Sequence, residues 1–420
     1  MNPRLASLTL SVALSLSALF VPTLRAAPVV QRGDLVAFCG DSITARRIYT
    51  LYLQEYLLLC APLEAVATIQ AGRGFDTASG FSNRLENDVL TFNPSVATLC
   101  FGMNDGKYSP VSTDTIEGYR KSLTDSIRQL KAGGVRTIIA GSPGVVDPAK
   151  FKQPRVDAAR YNETLARLRD TARDVAKAEN VIFADVYTPM LDALTQAKAK
   201  FGADYILAND GIHPNPNGHL VFAYAFLKAL GFDGDLGTLT VDFASGRAAG
   251  SPGHTVLGYV NGVLKIESTR YPFCFENPQD PTGSRALTPF VPFNRELNRY
   301  RLVVNNAPVR TRITWGTTNR EFTAAELAAG VNLAEAFPDN PFCAPFFAAA
   351  KVMKEQQDFE DQSIRVLLNS LLDWRKDYPA SAPQTRILAD LVAAKSVEKR
   401  AASRAAIKPV THELKIEAVR

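Results

Sequence analysis

The sequence carries little net charge and few of the side chains that usually bind metals. Its 420 residues include 47 Lys and Arg against 42 Asp and Glu, so the formal net charge is only +5. The basic residues are scattered along the chain, which gives no reason to expect a nucleic-acid partner. The chain has no CxxC motif and no other cluster with zinc-ligand spacing, so we expect no metal site.

Cysteine is also scarce, and its five copies are an odd number, so at least one thiol must remain unpaired. Cys39 and Cys100 each lie in an apolar run shortly before a glycine, where a buried strand cysteine is the expectation. Cys274 and Cys343 lie in similar loop sequences, Tyr-Pro-Phe-Cys and Asn-Pro-Phe-Cys. An exported protein could form a disulfide there, but the sequence alone fixes no pairing.

Long apolar runs are absent except near the N-terminus, where residues 5–21 contain no charged side chain. Arg4 precedes this run, and the pattern predicts a signal peptide over residues 1–26 that is cut after Ala26. Leu24, at the −3 position, is larger than usual. The alternative is an uncleaved membrane anchor, for which the run is short. We therefore expect a secreted or periplasmic mature protein without a transmembrane span.

Between residues 34 and 231, short β-rich runs alternate with longer stretches of helical character. This alternation predicts a doubly wound α/β domain whose parallel sheet is covered by helices on both faces. Ligands of such sheets bind beyond the carboxyl ends of the strands. The predicted strands cover 35–39, 66–70, 96–101, 137–140 and 181–184, and the predicted helices include 45–60, 115–132 and 158–179.

The character of the chain changes after Gly231. Residues 232–343 are rich in Gly, Pro, Asn and Thr with short strand-like pieces, which predicts a small β-rich accessory region. Within it, Thr323 and Glu326 form a capping box that opens a short helix, and Gly330 is placed to stop that helix. Residues 344–420 predict a helical C-terminal extension.

Two short polar signatures follow predicted strands. Gly-Asp-Ser-Ile-Thr places Ser42 at the turn from the first strand to the first helix, where a helix N-terminus favours developing negative charge. The alternative is a serine that only caps the helix. Gly-Met-Asn-Asp follows the third strand, where the Asn104 amide could donate to a substrate oxygen or merely satisfy backbone groups of the loop.

The third signature is Asp210-Gly-Ile-His213. An aspartate three residues before a histidine can accept a hydrogen bond from the imidazole, so that the histidine acts as a general base. Among the four histidines, His213 alone has an acid at this spacing, whereas His219 belongs to the helix that follows. Chance matches to Asp-x-x-His are common, but the placement of all three signatures at strand ends of one sheet favours a catalytic site.

In this order, the signatures resemble those of the SGNH, or GDSL-type, serine hydrolase family over residues 33–231, about half of the chain. The resemblance implies a flavodoxin-like α/β fold and ester hydrolysis without a metal or cofactor. It implies Ser42 as nucleophile, His213 as base and Asp210 as the partner that orients the base. It also implies that the Asn104 side chain and the Ser42 backbone N–H hold the oxyanion.

The family also has a glycine block, and here the sequence departs from it. The matching stretch is Gly-Arg-Gly-Phe-Asp-Thr, with Phe75 where family members usually have a glycine before the Asp-Thr pair. A backbone N–H donor does not require glycine, so Phe75 could supply the third oxyanion contact. Gly74 could supply it instead if the loop is displaced by one residue. A large aromatic side chain at this position could narrow the pocket or close one side of it.

The resemblance implies two-step acyl transfer through an acyl-enzyme on Ser42. Export and an accessory region favour a short-chain or carbohydrate O-acetyl esterase that acts on small-molecule or polysaccharide esters. A lipase or lysophospholipase is the alternative among hydrolases. A non-catalytic exported carbohydrate-binding protein is the alternative outside them, although such a protein would be expected to lack Ser42 or His213.

Overall fold

The computed structural model describes residues 28–276 and 279–419. The predicted signal peptide over residues 1–26 lies outside this part of the chain. None of the helices that are described combines the length and the apolar character that a membrane crossing requires.

Near-continuous apolar runs form the strands of a parallel sheet in the first half of the chain. These strands are β1 (Leu35–Gly40), β2 (Ala67–Gly72), β3 (Val96–Cys100), β4 (Thr137–Gly141) and β5 (Ile182–Ala184). They form a five-stranded sheet in the order β2-β1-β3-β4-β5, with every pair parallel. This is the strand order of flavodoxin-like folds, so the predicted fold class is confirmed.

Helices between the strands pack against this sheet. They are α1 (Ser42–Ala45), α2 (Tyr49–Glu55), α3 (Ala78–Asp88), α4 (Thr113–Ala132), α5 (Ala158–Ala178), α6 (Tyr187–Phe201) and α7 (Pro216–Ala229). The helical stretch predicted over 45–60 is interrupted at residues 46–48, whereas 49–60 are helical. Arg47 has a left-handed backbone (φ 58°), which ends α1 and redirects the chain into α2, and α2 then continues as a π-helical segment, Tyr56–Cys60.

The accessory region consists of two further sheets. Its strands are β6 (Asp235–Asp242), β7 (Arg247–Gly250), β8 (His254–Val260), β9 (Val263–Ser268), β10 (Arg299–Asn305), β11 (Arg310–Trp315), β12 (Thr318–Thr323), β13 (Val331–Asn332) and β14 (Val410–Ala418). One sheet has the order β13-β10-β6-β7 and the other β12-β11-β14-β9-β8. Short helices α8 (Phe293–Leu297), α9 (Ala324–Ala329) and α10 (Leu333–Ala336) lie among them, and α9 opens with the predicted capping box.

A buried polar network joins the two accessory sheets. His412 accepts a hydrogen bond from Trp315 Nε1 at Nδ1 (3.2 Å) and contacts Ser268 Oγ through Nε2 (3.0 Å). Ser268 Oγ also contacts His254 Nδ1 (2.8 Å), and His254 Nε2 contacts the Leu236 carbonyl (2.8 Å) in the other sheet. Burial lowers the pKa of His412 to about 3, so this ring is neutral and serves as an acceptor.

The C-terminal extension contains α11 (Cys343–Gln362), α12 (Asn369–Asp377) and α13 (Ala382–Ala405), with a π-helical segment, Ser363–Leu368, after α11. The prediction of a wholly helical extension over residues 344–420 is wrong at its end. Residues 410–418 form β14, because their buried and exposed side chains alternate with the period of a strand. β14 pairs with β9 and β11 and so completes a sheet of the accessory region.

Helix α11 covers the free edge of the parallel sheet. Gln356 Nε2 donates to the Thr68 carbonyl of β2 (2.9 Å), and Glu360 accepts from the Gln70 N–H (3.0 Å). A buried edge strand needs such partners, because an unpaired backbone group away from water is costly. The C-terminal extension is therefore built into the α/β domain at β2.

Candidate active site

The turn between β1 and α1 presents Ser42. Asp41 is the N-cap residue of α1, and its side chain accepts from the Ile43 N–H (2.9 Å), so the Ser42 hydroxyl is not needed as a cap. Gly40 permits the tight turn, since a Cβ there would lie 2.0 Å from Thr44 Oγ1. Burial raises the pKa of Asp41 to about 8. Asp41, and not the Ser42 side chain, therefore caps α1.

The structure brings Ser42, His213 and Asp210 into one hydrogen-bonded chain. His213 Nε2 lies 2.8 Å from Ser42 Oγ, and His213 Nδ1 lies 2.7 Å from Asp210 Oδ2. Asp210 Oδ1 accepts from the backbone N–H groups of Ile212 (2.9 Å) and His213 (2.8 Å). Burial opposes ionisation of Asp210, but these hydrogen bonds outweigh it and lower the pKa of Asp210 to about 2.

Two arginines follow the serine turn and have different partners. Arg46 lies 3.6 Å from Asp210 Oδ2, and both side chains are about half exposed, so this ion pair is a weak one. Arg47 pairs with Asp358 (3.0 Å) and Asp361 (3.2 Å) of α11. The two ion pairs of Arg47 therefore connect the turn after α1 to the C-terminal extension.

Several unused N–H groups lie in the two turns that flank β1 and β2. Within the described residues, the backbone N–H groups of Ser42, Gly74 and Phe75 donate to no protein acceptor, whereas those of Arg73 and Asp76 bind backbone carbonyls. Both positions predicted for the third oxyanion donor, Gly74 and Phe75, are therefore free to bind a ligand oxygen.

Asn104 is held by two hydrogen bonds at opposite ends of its amide. Its Nδ2 donates to the Asp76 carbonyl (2.9 Å), and its Oδ1 accepts from the Tyr108 hydroxyl (3.1 Å). The Tyr108 ring stacks on Tyr161 with 5.1 Å between the ring centroids. One Nδ2 hydrogen of Asn104 remains for a ligand, because an amide nitrogen carries two. Tyr108 lies four residues after Asn104, and no motif in the sequence predicts its contact with the amide.

Buried carboxylates fix the loops around the site. Asp76 forms an ion pair with Arg84 (2.8 Å), and Arg84 also pairs with Asp88 (3.0 Å), all three side chains being almost completely buried. Asp105 accepts from the N–H groups of Gly102 (2.9 Å) and Ala78 (3.0 Å). Burial raises the pKa of Asp105 to about 6. The glycine block and the Asn104 loop are therefore tied to each other and to α3.

Phe75 combines an exposed side chain with an unusual backbone conformation. Its side chain is 92% exposed, and its backbone is left-handed, with φ 61°. Glycine adopts this conformation freely, which accounts for a glycine at the corresponding family position, whereas another residue pays about 1–2 kcal/mol. The loop that carries the free N–H groups therefore has a strained backbone at Phe75, and the aromatic ring of Phe75 is exposed.

Hydrogen bonds of Gln70 in β2 connect the C-terminal extension to the residues that follow Ser42. Gln70 Nε2 donates to the Thr44 carbonyl of α1 (2.5 Å), while Gln70 Oε1 accepts from the Gly72 N–H (2.7 Å). The backbone N–H of the same Gln70 donates to Glu360 of α11, as described above. Burial raises the pKa of Glu360 to about 7. A continuous set of hydrogen bonds thus runs from α11 to the residues that follow Ser42.

His219 lies within α7, as predicted, and neither of its ring nitrogens has a protein partner in the described structure. The ring is fully buried, with its centroid 6.0 Å from those of Tyr49 and Phe222. Burial first, and then the positive charges of Arg46 and His213, lower the pKa of His219 from 6.5 to about 3. The folded protein thus keeps this ring neutral at neutral pH.

We expect His219→Leu to reduce the sensitivity of folding to acid. Only the unfolded chain binds a proton at His219 between pH 6.5 and 3, so the free energy of unfolding falls by about 1.4 kcal/mol per pH unit as pH falls through this window. Urea unfolding at several pH values should show a slope smaller by about one proton in the variant. His412→Leu is the control: it should lose the same slope but also lose stability at pH 7. An unchanged slope in His219→Leu would contradict the assignment.

Comparison with known proteins finds similarity over part of the chain. Residues 38–221 match the GDSL-like Lipase/Acylhydrolase family. An acetylxylan esterase from Geobacillus stearothermophilus is 25% identical over 225 residues, which cover 48% of this chain and 95% of that protein. Its solved structure superposes with a TM-score of 0.39 at 23% identity, over 48% of this chain and 96% of that chain.

A second solved structure resembles nearly the whole chain. It is that of a gut microbial diltiazem-metabolizing enzyme, with a TM-score of 0.72 and 20% identity over 94% of this chain and 99% of that one. The fold of the accessory region and the C-terminal extension is therefore shared with that protein, together with the fold of the catalytic sheet.

The fold and the family match define the class: the chain is an ester-bond hydrolase. The match over residues 38–221 is to the GDSL type of hydrolase that the sequence signatures resemble, and it spans less than half of the chain.

Proposed function

We propose that this chain is a serine carboxylic ester hydrolase that works through Ser42, His213 and Asp210. The observation that carries the proposal is the 2.8 Å distance between Ser42 Oγ and His213 Nε2, with Asp210 on the other ring nitrogen at 2.7 Å. A serine hydroxyl is a poor nucleophile until a base removes its proton, and this arrangement provides the base and a group that orients it.

In the proposed reaction, Ser42 Oγ attacks the ester carbonyl while His213 takes the serine proton. The carbonyl oxygen becomes negative and accepts hydrogen bonds from the backbone of Ser42, the backbone of Gly74 or Phe75, and the Asn104 amide. His213 then gives its proton to the departing alcohol, which leaves an acyl-enzyme. Water, deprotonated by His213, attacks the acyl-enzyme; the bond to Ser42 Oγ breaks, the acid leaves, and His213 returns the proton to Ser42 Oγ. Asp210 remains ionised throughout, which its lowered pKa favours.

Asn104→Ala is expected to lower kcat by about 10²–10³-fold with a smaller change in KM, because an oxyanion donor acts mainly in the transition state. Tyr108→Phe removes the hydroxyl that holds Asn104 Oδ1 and should lower kcat less, by up to about tenfold. Steady-state kinetics on p-nitrophenyl acetate measures both. A Tyr108→Phe variant that is as impaired as Asn104→Ala would place Tyr108 in a different role.

We further propose that the substrate is a short-chain ester, with O-acetyl groups on carbohydrate as the natural class. Two features support this choice: the relative named as an acetylxylan esterase, and the exposed Phe75 ring on the loop that carries the free N–H groups of Gly74 and Phe75. Exposed aromatic rings present a flat apolar face on which the apolar face of a sugar ring can pack. Lipid hydrolysis is the competing possibility.

The experiment that tests the proposed substrate is a series of p-nitrophenyl esters of increasing acyl length. We expect kcat/KM to be highest for acetate and to fall with chain length, and acetylated xylo-oligosaccharides to release acetate. A maximum at long acyl chains would overturn the acetyl proposal in favour of a lipase. No hydrolysis of any ester by folded protein would overturn the enzymatic proposal as a whole.

Phe75→Ala separates binding of the alcohol part from the chemistry. We expect KM for acetylated xylo-oligosaccharides to rise about 5–10-fold, since a contact with an aromatic ring contributes about 1 kcal/mol. The kinetics on p-nitrophenyl acetate should remain unchanged, which is the control. Phe75→Gly should behave in the same way and should also be more stable, because glycine relieves the left-handed strain. Equal losses on both substrates would contradict a binding role.

We also propose that the protein is exported and that the first 26 residues are removed. The support is the uncharged apolar run over residues 5–21 behind Arg4. N-terminal sequencing of protein recovered outside the cytoplasm should begin at Ala27. An intact Met1 on membrane-bound protein would favour the anchor instead.

A further inference from the structure

A cavity of about 850 Å³ lies where the loop after β4 meets the start of α5. This volume falls within the range of about 300–1,000 Å³ that is usual for ligand pockets. Three of the side chains that line it are cationic, Lys152, Arg155 and Arg160, and one, Asp157, is acidic. All four residues are exposed to solvent. We refer to this feature as the cationic cavity.

The three cations of this cavity have no acidic partner. Among the residues that the structure describes, no carboxylate lies within ion-pair distance of Lys152, Arg155 or Arg160. Asp157 serves instead as the N-cap of α5, where its carboxylate accepts from the Arg160 N–H (2.9 Å). Like charges gathered on the wall of one cavity produce a positive potential, so this cavity attracts anions.

Phe151 forms part of the cavity wall, and its backbone packs against the loop that carries Asp210 and His213. Gly211 of that loop approaches so closely that a Cβ on it would lie 2.2 Å from the Phe151 nitrogen. The Gly211 carbonyl also accepts from the N–H of Asp147, at the start of the cavity's own loop (2.8 Å). The cationic cavity therefore adjoins the loop of the proposed general base.

The Phe151 ring also reaches the loop after β3. It stacks on Tyr108 and Tyr161, with 6.4 Å and 5.5 Å between the ring centroids. The hydroxyl of the same Tyr108 donates to Asn104 Oδ1 (3.1 Å). One aromatic side chain thus connects the cationic cavity to both loops that carry proposed active-site residues.

We propose that the cationic cavity binds the carboxylate groups of an acidic polysaccharide while an acetyl ester on the same sugar chain reaches Ser42. The inference rests on the proposed esterase function and names its alcohol part, a sugar chain that contains uronic acids. The cavity contributes ion pairs and hydrogen bonds to binding and takes no part in the steps that break bonds.

The side chains of the cavity suit a carboxylate that is attached to a sugar. Each guanidinium presents a planar fork that donates two parallel hydrogen bonds to a carboxylate, and Arg155 and Arg160 supply two such forks. The Gln153 amide, which also lines the cavity, can both donate to and accept from sugar hydroxyls. The volume leaves room for a sugar ring beside the charged group, which a lone inorganic anion would not fill.

Calorimetric titration of the full chain with two unacetylated probes tests the cavity. One probe is a xylo-oligosaccharide with a single glucuronate, and the other is the unsubstituted oligosaccharide of the same length. We expect the acidic probe to bind about fivefold more tightly, the effect of one well-formed exposed ion pair, and the difference to shrink at about 1 M NaCl. Equal affinities, or inorganic phosphate that binds as tightly as the acidic probe, would overturn the proposal.

Matched variants locate the binding. Lys152→Gln/Arg155→Gln/Arg160→Gln removes the three charges at exposed positions and should bind both probes equally. Arg167→Gln is the control, because Arg167 is exposed on α5 two turns after Arg160 and does not line the cavity. It should keep the preference for the acidic probe. A preference that survives the triple variant, or one that Arg167→Gln also abolishes, would overturn the proposal.

Kinetics on the acetylated forms of both oligosaccharides distinguish this inference from the proposed function. We expect the acidic substrate to have a KM about fivefold lower in the wild type and the same KM as the neutral one in the triple variant. Preferential binding of the acidic probe without hydrolysis of any ester would support the cavity and overturn the esterase. Hydrolysis of both substrates with equal KM and equal binding would overturn the cavity and leave the esterase.

Discussion

Ser42→Ala is expected to lower kcat for p-nitrophenyl acetate by at least about 10⁴-fold. The reason is that the Ser42 hydroxyl is the group placed 2.8 Å from His213 Nε2, in the turn that follows β1. Alanine keeps the helical backbone and removes only the attacking atom. Any remaining activity would come from water attacking an ester held by the oxyanion donors alone.

The loss should be one of chemistry and not of folding. The thermal unfolding temperature of Ser42→Ala should equal that of the wild type, because the Cβ and the backbone of residue 42 are unchanged. Ser109→Ala is a matched control, since it removes a hydroxyl from the loop after β3 that bonds to the Lys107 carbonyl. That variant should keep wild-type kinetics. A Ser42→Ala protein with a tenth or more of the wild-type kcat would exclude Ser42 as the nucleophile.

His213→Ala is expected to cause a loss of similar size, about 10⁴-fold in kcat, and the double variant Ser42→Ala/His213→Ala should be no worse than either single one. A nucleophile and its base act as one unit, so removing either member removes most of what the pair contributes. Stopped-assay kinetics at high enzyme concentration would resolve rates this low.

Additive losses in the double variant would contradict this account, because they would show that the two side chains act in separate steps. Asp210→Asn supplies a graded comparison. We expect it to be impaired by about 10²–10⁴-fold, since asparagine cannot stabilise the imidazolium and favours the wrong tautomer. Because the Asp210 side chain is partly exposed, water can replace part of the lost interaction. We therefore expect the loss in kcat to lie toward the lower end of this range.

Much of the catalytic half was predictable from sequence because its signals are local. Each strand is a short apolar run that ends at a polar or glycine-rich turn, and the predicted strand 35–39 became Leu35–Gly40. Because parallel strands all present their carboxyl ends at one edge of the sheet, signatures far apart in sequence were expected to meet there. Ser42 and His213 are separated by 171 positions and do meet.

The parts that were not predicted depend on distant contacts. Gln356 and Glu360 read as ordinary polar residues of a helix, and only the folded chain reveals that they satisfy the edge of a strand almost 290 residues earlier. Tyr108 acquires its role from the amide it holds, for which the sequence has no motif. The sequence does contain a signal for β14, because Val410, His412, Leu414 and Ile416 alternate with polar residues. The helical pattern of the preceding residues obscured this alternation.

The most direct test of the central claim is to trap the nucleophile. A fluorophosphonate reacts covalently with a serine hydroxyl that a neighbouring base has activated, and intact-mass analysis should show one adduct per chain, with loss of esterase activity in parallel. Tryptic mapping should place the adduct on residues 33–46, where Ser42 is the one serine. An adduct on any other peptide, or complete labelling of a protein that stays active, would contradict the account.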